Sequence, residues 1–390
     1  MGEFYLMHKD IEVAKLNYIN GAFNVIEIYN IKHMPPGTQS GRDLDIRITR
    51  WHTDRCMPAE RPNLKSFLSK SEYRSLSKIA IHGYGCSLVD CYWFKPLKKP
   101  NLKWKDVNFF DNGFNSNFGE AVFMNNISDL INYHRSPDVT TNGASPKMWL
   151  RDDDDGTFFL IKGKQESTKF GIISQEAIGE VFASAFAKKY GFKSVDYMFI
   201  EQNGLIFCAS QSFINDDQHE FIPLEQFKYD LPEQTNEATF KHFCNLGFKE
   251  DLEKIIFFDY LLGNTDRHMG NLGIIRNPDT LEILEFAPIF DSGEVMNYNY
   301  QHGAPYDDAG KLVYRSAKEN LLLANDFSWL DESKMEFIDI SRLYRDIALK
   351  HGINDIGVIN QLGFALGRRY DEAIKYVKKC KGRSDIEKNN

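Results

Sequence analysis

No run of apolar residues in this 390-residue chain approaches the roughly 18 that a membrane span requires. Met1 to Asp10 lacks the apolar core that a signal peptide carries, so a cytoplasmic location is expected. Positive charge is also in short supply. The net charge of −8 argues against a strong nucleic-acid binder acting alone and leaves room only for a local basic patch. No basic amphipathic helix is evident, which disfavours a membrane substrate. There is no His-Glu-x-x-His, so a zinc protease has no support. Internal repeats and low-complexity tracts are missing as well. The six cysteines (Cys56, Cys86, Cys91, Cys208, Cys244, Cys380) are few and scattered. The closest pair, Cys86 and Cys91, does not have zinc-knuckle spacing, and reduced thiols are the expectation.

What is present suits a globular protein: 42% hydrophobic and 26% charged residues. Aromatics make up 14%, with 30 Phe, which argues against long disorder. The length accommodates two or three domains, or one large bilobal one.

Ile11 to Leu16 and Phe23 to Ile31 read as strands around an Asn20-Gly21 hairpin turn. Met34 to Thr38 is a loop. Leu64 to Ile81 has helical spacing of Leu and Ile. Trp93 to Val107, with two prolines and several lysines, reads as a surface connector. Phe109 to Phe118 reads as a loop packed on a partner domain. From about Ser136 the pattern changes to strands at Lys147–Leu150, Phe158–Lys162, Tyr197–Glu201 and Leu205–Ser210. The acidic run Asp152 to Asp155, ending in Gly156, reads as a solvated hairpin turn rather than a metal site. Ser174 to Tyr190 reads as a helix, capped by Ser174 and ended by Gly191. Beyond about Asp216 the chain reads as helical: Thr239–Cys244, Asp251–Leu262, Ile340–His351 and Asn354–Lys379. Residues after Lys381 are polar and read as frayed.

Two phrases carry the chemistry. Asp266 and Asn271 lie in Leu261-Leu262-Gly263-Asn264-Thr265-Asp266-Arg267-His268-Met269-Gly270-Asn271, and Asp291 lies in Ala287-Pro288-Ile289-Phe290-Asp291-Ser292-Gly293. An Asp, an Asn five residues on, then an Asp-x-Gly twenty residues later is a layout that moves a phosphoryl group. One carboxylate orients the attacking hydroxyl, while the Asn and second carboxylate hold Mg²⁺ against the phosphates. Upstream, the loop Thr140 to Lys147 contains Gly143, Ala144 and Ser145, small enough for backbone N–H groups to approach phosphate oxygens. One glycine among small residues is also what an ordinary turn contains. Lys162 ends the second strand, where a nucleotide-binding lysine belongs, although a lone strand-end lysine is commonly solvated. Glu176 and Glu180 share one helix face, and either can reach that lysine. Gln211 to Phe213 follow the last strand as a hinge for adenine. His268 can act as a base but is better suited to bracing the loop near Asp291. Arg267 either binds a phosphate or is solvated.

Together these residues resemble the HipA-like serine/threonine protein kinase family, which includes bacterial toxin kinases and CtkA-type effector kinases. The likeness is close at Asn264–Asn271 and Ala287–Asp291. It extends to Gly143–Trp149, Lys162, Glu180-Val181-Phe182-Ala183 and Lys189–Phe192. This spacing favours Glu180 over Glu176. A looser likeness reaches Met7–Asp10 and Phe109–Asn112. The resemblance implies an α+β, bilobal, protein-kinase-like fold. Its parts would be an accessory α/β subdomain (1–134), a strand-rich N-lobe (135–215) and an all-helical C-lobe (216–390). It implies ATP and Mg²⁺, with Asp266 as catalytic base, Asn271 and Asp291 as Mg²⁺ ligands, and Lys162 on the phosphates. Gly143, Ala144, Ser145, Lys147, Glu180, Gln211, Phe213 and His268 complete the expected cofactor site. It also implies transfer to a protein Ser or Thr, and self-phosphorylation at Thr140, Thr141 or Ser145. A small helix-turn-helix antitoxin partner follows from the same likeness, while the net charge of −8 and the want of a convincing helix-turn-helix in the chain itself predict no direct nucleic-acid contact. A pseudokinase regulator, or a kinase of a lipid or small molecule, is the alternative, because Asp-Arg-His also resembles the phosphoinositide kinase loop.

Overall fold

The chain begins with β1 (Gly2–His8), which pairs antiparallel with β2 (Ile11–Ile19). Asn20 and Gly21 both take positive φ, +53° and +91°, as a tight two-residue hairpin demands, and lead into β3 (Ala22–Ile28). The hairpin expected from Asn-Gly is therefore present, while β1 carries no comparable turn signal and goes unassigned in the sequence. A computed structural model of the protein describes residues 2–41, 43–59, 61, 64, 68–69, 73–114, 116–124, 135–143, 145–163, 175–202, 205–296, 308–350 and 356–388. The chain divides into two units. The first comprises Met1–Lys162, Gln211–Gln234 and Gly273–Ala287, and the second Gly163–Ser210, Thr235–Leu272 and Pro288–Asn390.

In the first unit, β4 (Tyr92–Pro96) pairs with β1 and completes a sheet of order β3-β2-β1-β4. This corrects the surface connector expected at Trp93–Val107. Trp93 and Phe94 are fully buried, and Lys95 lies along the strand with its ammonium 2.7 Å from Glu12 Oε1. Pro96 is tolerated because β4 is an edge strand. The Leu44–Arg55 helix packs on β3, where the Asp45 and Thr49 side chains accept from the amides of Val25 and Phe23. Its interspersed Arg and Asp hide the apolar spacing of Ile48 and Trp51. Phe23, stacked 4.9 Å from Phe94, centres this core. Of the helix expected over Leu64–Ile81, Leu64, Leu68 and Ser69 are helical and a further helix covers Leu76–His82, while Arg74 at φ +53° precludes one continuous helix. The loop expected at Phe109–Phe118 contains a turn of helix, Phe109–Asn112, and the start of another, Asn117–Phe123. Phe109 is buried with Trp149 and Phe158.

The first unit also holds the hairpin of β5 (Lys147–Arg151) and β6 (Phe158–Lys162). Its turn, Asp152–Asp155, is exposed and closed by Asp and Gly geometry, and no metal-holding cluster of acids, His or Cys exists among the described residues. In the second unit, β7 (Tyr197–Gln202) and β8 (Leu205–Gln211) form a hairpin of similar kind. Returning to the first unit, β9 (Glu220–Pro223), β10 (Gly273–Arg276) and β11 (Ile283–Phe286) make a sheet of order β11-β10-β9. The stretch beyond Asp216, expected to be helical, thus contributes three strands as well. Its β-branched run Ile274-Ile275 and the Asn277–Thr280 turn are the local cause.

The second unit is otherwise helical: Gln175–Tyr190, Asn236–Phe243, Lys249–Leu262, Ala317–Leu321, Phe337–Lys350 and Ile356–Lys388. Ser174, the expected cap, lies outside the described residues, and Gly191 ends its helix at φ +75°. Phe186, Phe192 and Phe258 pack together with ring centres 5.5–5.8 Å apart. The last helix runs to Lys388, past the fraying expected after Lys381. Among the described residues no helix is long and apolar enough to cross a membrane. All six cysteines are free thiols.

Candidate active site

The Lys249–Leu262 helix ends on Gly263 in the left-handed region, φ +68°, which turns the chain sharply into Asn264. Asn264 Oδ1 accepts from the Asp266 amide (3.1 Å), and Asn264 Nδ2 donates to Asp259 Oδ1 (2.8 Å) in the helix's last turn. The loop carrying Asp266 is thereby fastened to the helix it leaves. His268 Nδ1 accepts from the Gly270 amide at 3.1 Å and starts the short turn Met269–Asn271. Asn271 Nδ2 donates to the Asp266 carbonyl at 3.4 Å, so the expected Asp and Asn are adjacent. The Asp266 carboxylate is half-exposed and accepts from the ammonium of Lys311.

Arg267 ties this loop to the Asp291 segment. Its Nε donates to Asp259 Oδ2 (2.9 Å) and its Nη2 to Asp259 Oδ1 (3.2 Å). Its Nη1 donates to the Asn271 carbonyl (3.4 Å) and to the Phe290 carbonyl, and Nη2 also reaches Ser292 Oγ (2.8 Å). Arg267 is buried, which overturns the expectation that it is solvated or phosphate-bound. The brace near Asp291 expected of His268 is supplied instead by Arg267, whose long planar fork reaches several oxygens at once. Burial works against its charge, but Asp259 outweighs this and raises the guanidinium above its ordinary value.

Asp291 itself has φ +55°, an uncommon conformation for a residue other than glycine. The next amide, Ser292 N–H, donates to Glu180 Oε2 at 2.8 Å, and Glu180 is fully buried in the Gln175–Tyr190 helix. That helix lies so close that a Cβ on Gly179 would fall 2.4 Å from the Gly293 carbonyl oxygen, and a Cβ on Gly293 would fall 2.4 Å from Glu176 Cγ. In the second unit the structure therefore brings together Asp266, His268, Asn271, Glu180 and the Asp291 segment.

The remaining expected residues lie in the first unit. Lys147 and Lys162 face each other across β5 and β6, and both are buried. Gly143 has φ +100°, and a Cβ there would fall 2.3 Å from Lys147 Nζ, so the loop wraps the lysine closely. Ala144 lies outside the described residues. The Thr140 hydroxyl donates to the Cys86 carbonyl (2.6 Å), and that of Thr141 donates to the Pro137 carbonyl (2.7 Å) while accepting from Trp149 Nε1 (2.8 Å). Ser145 is part-buried, and its hydroxyl has no such bond among the described residues. In the expected hinge, Gln211 is exposed and Phe213 meets Phe221 edge-on at 5.5 Å. The Ser212 amide is already donated to Phe158 O at 2.8 Å.

Lys147 and Lys162, paired across one hairpin and both buried, are cations of the kind that suits the oxygens of a polyphosphate. Asn271 and Asp291 offer oxygen donors only, which suits a hard cation such as Mg²⁺ that keeps several waters and phosphate oxygens in its shell. The residues present therefore fit both groups. Sequence reasoning missed Arg267 and Asp259 as a pair, because eight residues spanning a helix end carry no periodic signal.

No protein-family model matches the sequence, and no curated protein does. Among solved structures, the chain is similar to one in the Shewanella oneidensis MR-1 toxin–antitoxin complex of HipA, HipB and operator DNA. That match has 12% identity, covers 97% of this chain and 99% of that chain, and has a TM-score of 0.59. A similarity to the Helicobacter pylori proinflammatory kinase CtkA has 16% identity, covers 61% of this chain and 92% of that chain, and has a TM-score of 0.46. The first of these spans nearly the whole chain and shows a HipA-like kinase fold.

Proposed function

We propose that this protein is an ATP- and Mg²⁺-dependent phosphotransferase acting as a HipA-like protein Ser/Thr kinase. The observation that carries the reading is the Arg267 fork, which holds the Asn271 and Phe290 carbonyls with one guanidinium. A site that must keep a base and two metal-binding side chains in register needs such a tie. MgATP, when bound, supplies the transferred phosphoryl group and the charge that neutralises its oxygens. Asp266 would accept the hydrogen bond of the attacking hydroxyl, and Asn271 and Asp291 would hold the cation. Lys147, Lys162 and the Gly143 and Ser145 positions would hold the phosphates, and Gln211 and Phe213 the base. Glu180 supports Asp291 by accepting from the next amide. Lys311, which donates to Asp266, would give way to the acceptor hydroxyl.

The division into an accessory part (1–134), N-lobe (135–215) and C-lobe (216–390) belongs to this reading. So does a cytoplasmic location. Ser145 is the proposed self-phosphorylation position, since the hydroxyls of Thr140 and Thr141 are already bonded. The Shewanella structure contains HipA with HipB and DNA, and a small helix-turn-helix partner is proposed here by analogy. The test is incubation of the purified chain with labelled ATP and Mg²⁺, with a cell extract as acceptor. Label is expected in protein, and Asp266→Ala or Asp291→Ala should lower transfer by about 10²–10³ with the fold intact. ATP binding without transfer by the wild type would establish a pseudokinase instead. Label in a lipid or metabolite would change the acceptor class.

A further inference from the structure

We propose that Arg61 is a positioning residue for the phosphate loop, which gives the N-terminal part of the chain a direct share in nucleotide affinity. The inference rests on the nucleotide-loop reading above and goes beyond it by naming what shapes the loop. Arg61 is 2% exposed, and its guanidinium faces four main-chain carbonyls. Nε donates to Gly143 O (2.8 Å), Nη2 to Thr141 O (2.7 Å) and Asn142 O (3.2 Å), and Nη1 approaches Lys147 O (3.5 Å). The segment bearing Arg61 is itself docked, since the Met57 amide donates to Val139 O at 2.9 Å.

A trans peptide unit points its C=O and the following N–H in opposite directions. With the Thr141 and Asn142 carbonyls turned toward Arg61, the Asn142 and Gly143 amides face the other way, where the Gly143 amide donates to Asn142 Oδ1 (2.6 Å), a local bond that a phosphate oxygen would replace. Successive amides on one side of a loop make a concavity suited to anions. The guanidinium behind them aligns these peptide dipoles, carbonyl ends inward and N–H ends outward. Burial lowers the Arg61 guanidinium to about 10, with Asp138 opposing, so it remains charged at neutral pH. The rest of the loop is pinned at its base, through Thr141 Oγ1 to Pro137 O and Trp149 Nε1 to Thr141 Oγ1. Arg61 reaches the apex. A lysine has no planar fork and engages fewer of these carbonyls at once.

The test uses the full chain with Arg61→Gln and Arg61→Lys, read by KM for ATP, kcat, thermal midpoint without nucleotide, and hydrogen exchange at Asn142 and Gly143. Arg61→Gln is expected to raise KM for ATP by about tenfold or more, with a smaller change in kcat, and to speed exchange at those amides. Arg61→Lys keeps the charge and most of the stem, and should recover part of the loss. It also serves as the readable variant where Arg61→Gln does not fold. A lowered midpoint with unchanged KM in a folded variant would overturn the proposal and leave a structural role only. If the wild type binds no MgATP, the kinase reading fails, and exchange at the two amides decides the tether alone. Unchanged exchange in either variant would refute the tether.

Discussion

Replacing Asp259 with Asn tests whether one buried ion pair organises the candidate active site. The substitution keeps the shape of the side chain and removes its charge. Arg267 then loses the carboxylate that receives both its Nε and Nη2, and Asn264 loses the charge on its partner oxygen. Removing one member of a buried pair leaves an uncompensated charge and costs about 3–5 kcal/mol. Because Asn retains one acceptor, the lower part of that range applies, roughly 3–4 kcal/mol. Against a typical total of about 5–15 kcal/mol this is a large fraction. It corresponds to a fall in thermal midpoint of roughly 6–16 °C for a unit of this size. Circular dichroism melts of wild type and Asp259→Asn measure it directly. Phosphoryl transfer below the transition should fall as well, since Arg267 no longer holds the Asn271 and Phe290 carbonyls in place. The double variant Asp259→Leu/Arg267→Met separates the two consequences. It removes both charges and should regain most of the stability while activity stays lost. A midpoint within about 2 °C of wild type for Asp259→Asn, with full activity, would refute the reasoning.

Gly179→Ala places a methyl 2.4 Å from the Gly293 carbonyl, a backbone atom that cannot swing aside, so overpacking of about 1–3 kcal/mol is expected. Transfer activity should fall in step as Glu180 withdraws from the Ser292 amide, whereas Gly363→Ala, with open space around it inside a helix, should leave transfer unchanged and raise rather than lower the midpoint in a parallel melt. Burial alone would raise the Glu220 carboxyl, but His8 and Arg276 more than offset it and hold it at about 2, against an ordinary 4.5. Its contribution is thus fully present above pH 4.5 and is lost as pH falls toward 2, and Glu220→Gln should flatten urea-derived stability across that window. Phosphosite mapping after incubation with MgATP should find Ser145 modified. Phosphate on Thr140 or Thr141 with Ser145 unmodified would contradict the hydrogen-bond argument, because both threonine hydroxyls would first have to leave their carbonyl partners.

The features legible in the sequence are those with short-range causes. The Asn20-Gly21 hairpin, the four strands from Lys147 to Ser210 and the long helices follow from turn residues and apolar periodicity within a dozen positions. The strand at Tyr92–Pro96 was concealed because the prolines and lysines of Trp93–Val107 carry a surface signature. That signature fails once Lys95 reaches Glu12 and Pro96 sits on an edge. The sheet of β9, β10 and β11 was concealed differently. Its first strand lies some fifty residues before the others, and no local pattern encodes that pairing.

The candidate site divides along the same line. By itself, the sequence determined the spacing of Asp266, Asn271 and Asp291, the glycine before Lys147 and the lysine at the end of β6, because these are arrangements along the chain. Only the tertiary structure decided the partners. Arg267 turned from a surface charge into the tie between two loops, Glu180 met the amide after Asp291, and Arg61 arrived from eighty residues away to shape the loop at Gly143. The physical reason is that a charged side chain has no fixed meaning until its surroundings are known. In water Arg267 and Arg61 would each be a solvated charge, while in a packed interior each must find several oxygens, and doing so fixes the backbone around it.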